Sequence, residues 1–477
     1  MSKLLLICLL IQVRQSFTNN NSNLCVSNYW SSLLCITVNS AGELKSSIIN
    51  AFETDANISP SQFNSLEILY SQLDYLGPDF YDTLYEKLKN LKITKCNLTN
   101  IPSGAFRVFS HLESLKIEGS EVLNVNVDAF RGLTKLKLLE LTELKMKTLP
   151  KGVFDFLPTL IKLDIVDCDL IEIHENAFDN LKSLKELVLT KNGIRKFSEH
   201  LIRPLSSLET LMLNDNKLST LDAYMLKSPK RLHSLFLQKN FISTIPPNLF
   251  KDSRFLRVLV LDANGISNLD PTAFSDLLEL EILGLMYNNI SKLHPYIFRT
   301  TVKLHTLNLA INKINAINTA TFKNLKRLSN LNLMDNRIEI LPDDLFSENP
   351  KLSFLDMSGN NLKRISSSSF RNLHSLVSLK LKGNEIVDVA EEAFSDLGSL
   401  QALNLDNNEI RQLQAGVFKM LKKLRVLVLS NNYIKHLPSG IFDDLVSIEG
   451  IDLTGNNITD LSNDINKYLL NVVSFQK

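Results

Sequence analysis

Leu280-Glu-Ile-Leu-Gly-Leu-Met-Tyr-Asn-Asn-Ile-Ser-Lys-Leu-His-Pro-Tyr-Ile-Phe298 is the stretch that decides the fold. Its apolar residues Leu280, Leu283, Leu285, Ile290, Leu293 and Phe298 stand at offsets 0, 3, 5, 10, 13 and 18, with Asn288 at offset 8. The spacing returns every 24 residues: a leucine heads each unit at Leu88, Leu112, Leu136, Leu160, Leu184 and onward, and Ile448 heads the last. A unit this short cannot bury its own apolar edge, so the units must stack as coils around one shared core, which makes the chain a solenoid. Within a unit Phe236 points out while Leu235 and Leu237 point in, the period of a half-buried strand. Strands of successive coils are therefore expected to pair in parallel and to line a hollow.

Working outward, the 477 residues resolve into expected segments at 1–18 (a secretory leader), 19–62 (an N-terminal flank), 63–461 (about 17 coils, the first of them degenerate) and 462–477 (a helix covering the last coil). The leader reading rests on Lys3, the apolar run Leu4 to Ile11 and the small residues after it. That run is much shorter than the ~20 residues needed to span a bilayer, so no membrane insertion is expected once the leader is removed. Cys25 and Cys35 of the flank are expected to form a disulfide. Cys96 and Cys168 both fall at offset 8 and are read as buried free thiols. Sequons occur at Asn20, Asn57, Asn97, Asn289 and Asn457, and the last three share offset 9, so glycans on them would project from one edge.

Asparagine occupies offset 8 without interruption from Asn192 through Asn456. Its amide both donates and accepts, and it can satisfy backbone groups that a solenoid turn buries. Earlier units hold Cys96, Ser120, Leu144 and Cys168 there, which predicts differently bonded backbone around 88–183. Offset 18 is phenylalanine except at Ile202 and Leu226, a ring spine on the outer side, where short helical or irregular turns are expected.

Charge selects neither nucleic acid nor an anionic surface, since 52 Lys and Arg stand against 51 Asp and Glu. The eight histidines are scattered over different offsets, and no phosphate loop, nucleophile elbow or metal helix occurs. No enzyme, no cofactor and no metal site is expected. The informative positions are the outward ones in the hollow, where Met212, Phe236, Val260, Met286, Tyr287 and Met334 form an unusually apolar set, with Asp262, Asp335 and Asp356 as a polar rim. Aromatic and methionine residues that must face solvent are candidate binding residues. Val258, Ile282 and Phe354, at offset 2, are expected to be half-buried against their neighbours instead.

The unit Leu424-Arg-Val-Leu-Val-Leu-Ser-Asn-Asn-Tyr-Ile-Lys-His-Leu-Pro-Ser-Gly-Ile-Phe442 resembles the typical extracellular leucine-rich repeat. The resemblance extends to the repeats of Toll-type receptor ectodomains, Slit-like guidance proteins and small leucine-rich proteoglycans. It implies an α/β fold, a right-handed leucine-rich repeat solenoid or horseshoe with a parallel sheet on its concave side, and protein binding by the curved surface. The cysteine-rich C-terminal cap, membrane span and cytoplasmic domain of such receptors have no counterpart here, so autonomous signalling is not expected. The expectation is a secreted protein that captures an extracellular protein in innate recognition, adhesion or matrix assembly. A soluble decoy of a membrane-bound repeat receptor is the alternative among binding proteins, and a self-assembling matrix component, with homodimerisation left open, the alternative from another class.

Overall fold

The computed structural model describes residues 24–29, 31–54, 60–73 and 85–459. The expected leader, Asn20, Asn57 and the expected helix at 462–477 lie outside them. The chain divides into two compact units, Met1–Gly193 and Ile194–Lys477. Both are parallel-sheet solenoids, with one strand per coil in the long sheet, a second two-residue strand in some coils such as Asn100–Ile101 and Arg364–Ile365, and few helices.

In the first unit, β1 (Cys25–Tyr29) and β2 (Ser32–Ile36) form an antiparallel pair in which Cys25 faces Cys35. The two cysteines are joined as a disulfide and both are buried. Helix α1 (Ala41–Thr54) follows and buries Leu44, Ile48 and Ala51. Its start is held where Ser40 Oγ accepts the Glu43 N–H at 3.1 Å and Glu43 Oε2 accepts the Asn39 N–H at 2.6 Å, satisfying donors that a helix end leaves free. Strand β2 also pairs in parallel with β3 (Ser65–Leu69), so the flank supplies the sheet's first parallel strand and β1 covers its edge. Five-residue strands then recur at Asn90–Thr94, Ser114–Glu118, Leu138–Thr142 and Lys162–Val166, before the shorter Glu186–Val188.

Offset 8 in this unit shows what replaces the missing amide. The Cys96 thiol points at the carbonyls of Ile68 (3.8 Å) and Thr94 (3.5 Å), and the Cys168 thiol at those of Leu141 (3.2 Å) and Val166 (3.4 Å). Both are free and buried. Burial pushes both up, Cys168 to about 12, so each keeps the proton it donates. The Ser120 hydroxyl is buried without a partner, and Leu144 has no polar side-chain atom to offer.

The second unit runs three-residue strands in register from Thr210–Met212 to Gly450–Asp452. Here the amide ladder is regular, as Asn288 shows. Its Nδ2 donates to Leu261 O (3.0 Å), Leu285 O (3.1 Å) and Met286 O (3.2 Å), and its Oδ1 accepts the Ile266 N–H (3.0 Å). One side chain thus satisfies buried backbone of two coils. The ring spine is present in each unit. Phe106, Phe130, Phe154 and Phe178 stack in the first at 5.8–6.0 Å between neighbours, and Phe274, Phe298, Phe322 and Phe346 in the second at 6.1–6.4 Å. Ile202 and Leu226 are buried in place of rings. Among the described residues the outer side consists of turns and one short helix, Glu199–Ile202. Among the described residues no helix is long and apolar enough to cross a membrane.

Candidate functional site

The strand faces of the two units carry different chemistry. In the first unit the outward row reads Glu67, Lys92, Lys116, Glu140 and Asp164 across neighbouring strands. Opposite charges meet there: Lys92 with Glu67 at 2.7 Å, Lys116 with Glu140 at 2.7 Å, and Lys162 with Glu186 at 2.7 Å and Asp164 at 3.4 Å. Asp164 is the least comfortable member. Its Oδ1 is buried without a partner, and burial pushes its carboxyl up to about 6 against the attraction of Lys162, with Glu140 and Glu186 adding to the rise.

In the second unit the corresponding row is Met212, Phe236, Val260, Gly284, Asn308, Asn332, Asp356 and onward. From Asn308 to Asp356 the row is polar and satisfied within each coil. Asn308, Asn332 and Asp356 accept the N–H two residues ahead, from Ala310, Met334 and Ser358 at 3.2, 3.0 and 3.0 Å. Asp356 is also 3.4 Å from Lys380 and is buried, so it fastens a turn and is not the rim residue expected from the sequence. Asp335 is exposed.

Gly284 breaks this arrangement. With no side chain to cap its own turn, the Met286 N–H is taken by Asp262 Oδ1 of the preceding coil, at 2.7 Å. A Cβ on Gly284 would lie 2.7 Å from that oxygen and 3.0 Å from the carboxyl carbon, so the carboxylate leans into the space the glycine leaves. Burial raises the Asp262 pKa, opposed by the Met286 N–H. On the same face the carboxylates of Asp215, Asp356 and Asp406 each have a lysine, at 3.3, 3.4 and 2.9 Å. Among the described residues Asp262 has none.

A second departure concerns the residue just before the ladder asparagine. In every described coil from Tyr70 to Gly455 it lies in the left-handed region. Glycine, asparagine and aspartate tolerate that conformation, and Gly359, Gly383, Asn407 and Asn431 serve this purpose. Tyr70, Lys95, Glu143, Lys191, Lys239 and Ala263 hold the same conformation without fitting the rule, and so do Tyr287 (φ 57°) and Ile311 (φ 53°), a β-branched residue least of all. Tyr287 is 61% exposed and Ile311 half-buried, so burial does not explain why such residues are held there.

Met212, Phe236, Val260, Asp262, Met286 and Met334 are half-buried on this face. Met212 and Phe236 are register partners, as are Phe236 and Val260. Met334 stands two coils past Met286 with buried Ala310 between, so the set forms a strip about 24 Å long at ~4.8 Å per coil. Val258, Ile282 and Phe354 are half-buried, as expected. Sequence reading missed Gly284; its signal was a glycine in a row where the following coils hold asparagine or aspartate. Asn97, Asn289 and Asn457 are exposed.

The repeat geometry has a family behind it. The family model described as leucine rich repeat matches in eight overlapping stretches from residue 86 to residue 458, and the chain belongs to that family. No curated protein matches the sequence. Among solved structures the fold is similar to a chain of the glycosylated Drosophila Toll–Spatzle complex, with TM-score 0.72 and 20% identity over 90% of this chain and 58% of that one. It is similar to a Leptospira interrogans LRR protein, with TM-score 0.71 and 24% identity over 85% and 98% of the two chains. TLR13 in its complex with ssRNA13 gives TM-score 0.66 and 23% identity over 87% and 56%. The chain resembles Toll-type ectodomains, yet spans little more than half the length of the Toll-complex and TLR13 chains.

Proposed function

We propose that this is a secreted leucine-rich repeat protein that binds an extracellular protein through the strand face of its second unit. The observation that carries the reading is Tyr287: a large, exposed aromatic side chain kept in a backbone conformation that disfavours it. Strain of this kind is about 1–2 kcal/mol per residue, and bulk retained at that expense points to a use outside the fold. Phe236, Val260 and Met286 extend the apolar surface beside it, and aromatic anchors of this sort dominate protein interfaces. The near balance of charge argues for a protein partner over a polyanion. Structures of similar fold, the Toll–Spatzle and LRIM1/APL1C complexes, are protein assemblies, in keeping with this reading. The leader at 1–18 and the Cys25–Cys35 disulfide support secretion, and the exposed Asn97, Asn289 and Asn457 are the proposed glycan carriers.

The test is the double variant Phe236→Ala/Tyr287→Ala, expressed with its leader in animal cells. Both proteins are expected in the medium with melting temperatures within a few degrees of each other. The variant is expected to retain roughly one tenth or less of the partner that wild type captures from extracellular fluid. Equal capture, or a protein kept inside the cell, defeats the proposal.

A further inference from the structure

The carboxylate of Asp262 defines what the gripped segment must carry. It sits within the apolar strip, half-buried, beside the gap at Gly284, and no cation among the described residues neutralises it. Its one resolved bond is spent on the Met286 N–H. An occupant that covers Phe236, Val260 and Tyr287 also strips the remaining water from this carboxylate. An apolar or acidic occupant would leave a buried charge without a counterpart, which is strongly unfavourable. A guanidinium or ammonium group entering beside Gly284 would supply the missing charge and donate to the free lone pairs, while its stem and flanking residues cover the apolar strip. We infer that the face takes an exposed protein segment with a cationic side chain, arginine or lysine, set between apolar residues, and that Asp262 beside Gly284 receives the cation. The inference rests on the strand face being the binding face.

Two variants separate charge from shape. Asp262→Asn keeps an oxygen for the Met286 N–H and removes the charge. Gly284→Asn places in the gap the residue that Asn308 and Asn332 already hold in that row. The probe is a displayed library of short random peptides, panned on the full chain and depleted on Phe236→Ala/Tyr287→Ala. Peptides that survive are expected to carry arginine or lysine between apolar residues. Replacing that residue by citrulline or glutamine should weaken binding to wild type about tenfold, equivalent to about 1.4 kcal/mol, and leave binding to Asp262→Asn unchanged. Gly284→Asn should weaken every survivor. Face-specific peptides without a cation, or the same loss on Asp262→Asn as on wild type, overturn this inference and leave the binding face standing. No face-specific peptide at all, or self-association abolished by Phe236→Ala/Tyr287→Ala, overturns both.

Discussion

The two units solve one stacking problem with different materials. In the first, the strand face neutralises itself: Lys92, Lys116 and Lys162 each meet a carboxylate on a neighbouring strand. In the second, the early coils put Met212, Phe236 and Val260 in the same row, and Asp262 has no cation among the described residues. The turns differ in the opposite sense. Thiols, a stranded hydroxyl and a leucine stand where the second unit has its regular amides. The lesson is that backbone satisfaction and surface complementarity vary independently along a repeat chain. Where coils are internally best bonded, the outward residues are free to be chosen for something other than the fold.

The largest effect that would sharpen this contrast concerns offset 8. Asn288→Ala strands the Ile266 N–H and takes one of two donors from the carbonyls of Leu261, Leu285 and Met286, and is expected to destabilise by about 2–3 kcal/mol in denaturant unfolding. Ser120→Ala removes a hydroxyl that bonds nothing and should change stability by less than about 0.5 kcal/mol. Comparable losses at both sites would erase the distinction between the ladders.

A smaller effect separates the two faces by pH. The fold holds Asp164 more readily as the neutral acid, since its carboxyl is pushed up to about 6, whereas an unfolded chain ionises it near 3.9. Its penalty is therefore absent below about pH 4, grows as pH rises towards 6 and is complete above that. Asp164→Asn should be more stable than wild type by about 1–2 kcal/mol at pH 7.5, and melting curves should converge as pH falls to 4. A difference independent of pH would show that the carboxyl is not the source.

The smallest effect bears on the second face. Ile311→Asn relieves left-handed strain and is expected to raise stability by about 1 kcal/mol, while weakening capture of the partner. A variant both less stable and equally competent would show that Ile311 serves packing.

Much of this was legible in the chain. Leu280, Leu283 and Leu285 dictate the coil, and Asn288 announces the turn that its amide bonds. Three things were not. Leu33 to Ile36 pair with the first coil at a separation unlike the 24-residue spacing, so nothing in the periodicity marked them as the opening strand. Asp356 and Asp262 read alike as outward carboxylates, yet Asp356, at offset 4, is buried on its own turn, while Asp262, at offset 6, reaches the Met286 N–H of the next coil where Gly284 leaves room. The strain at Tyr287 and Ile311 was invisible because neither residue looks like a turn former.

The bond from the Met286 N–H to Asp262 also ties two adjacent repeats into one heritable unit. Whole coils can be duplicated or lost during evolution with little penalty where each caps itself. Crossing over between Asp262 and Gly284 would separate an oxygen from the amide it serves, so this pair should travel together in any shuffled descendant.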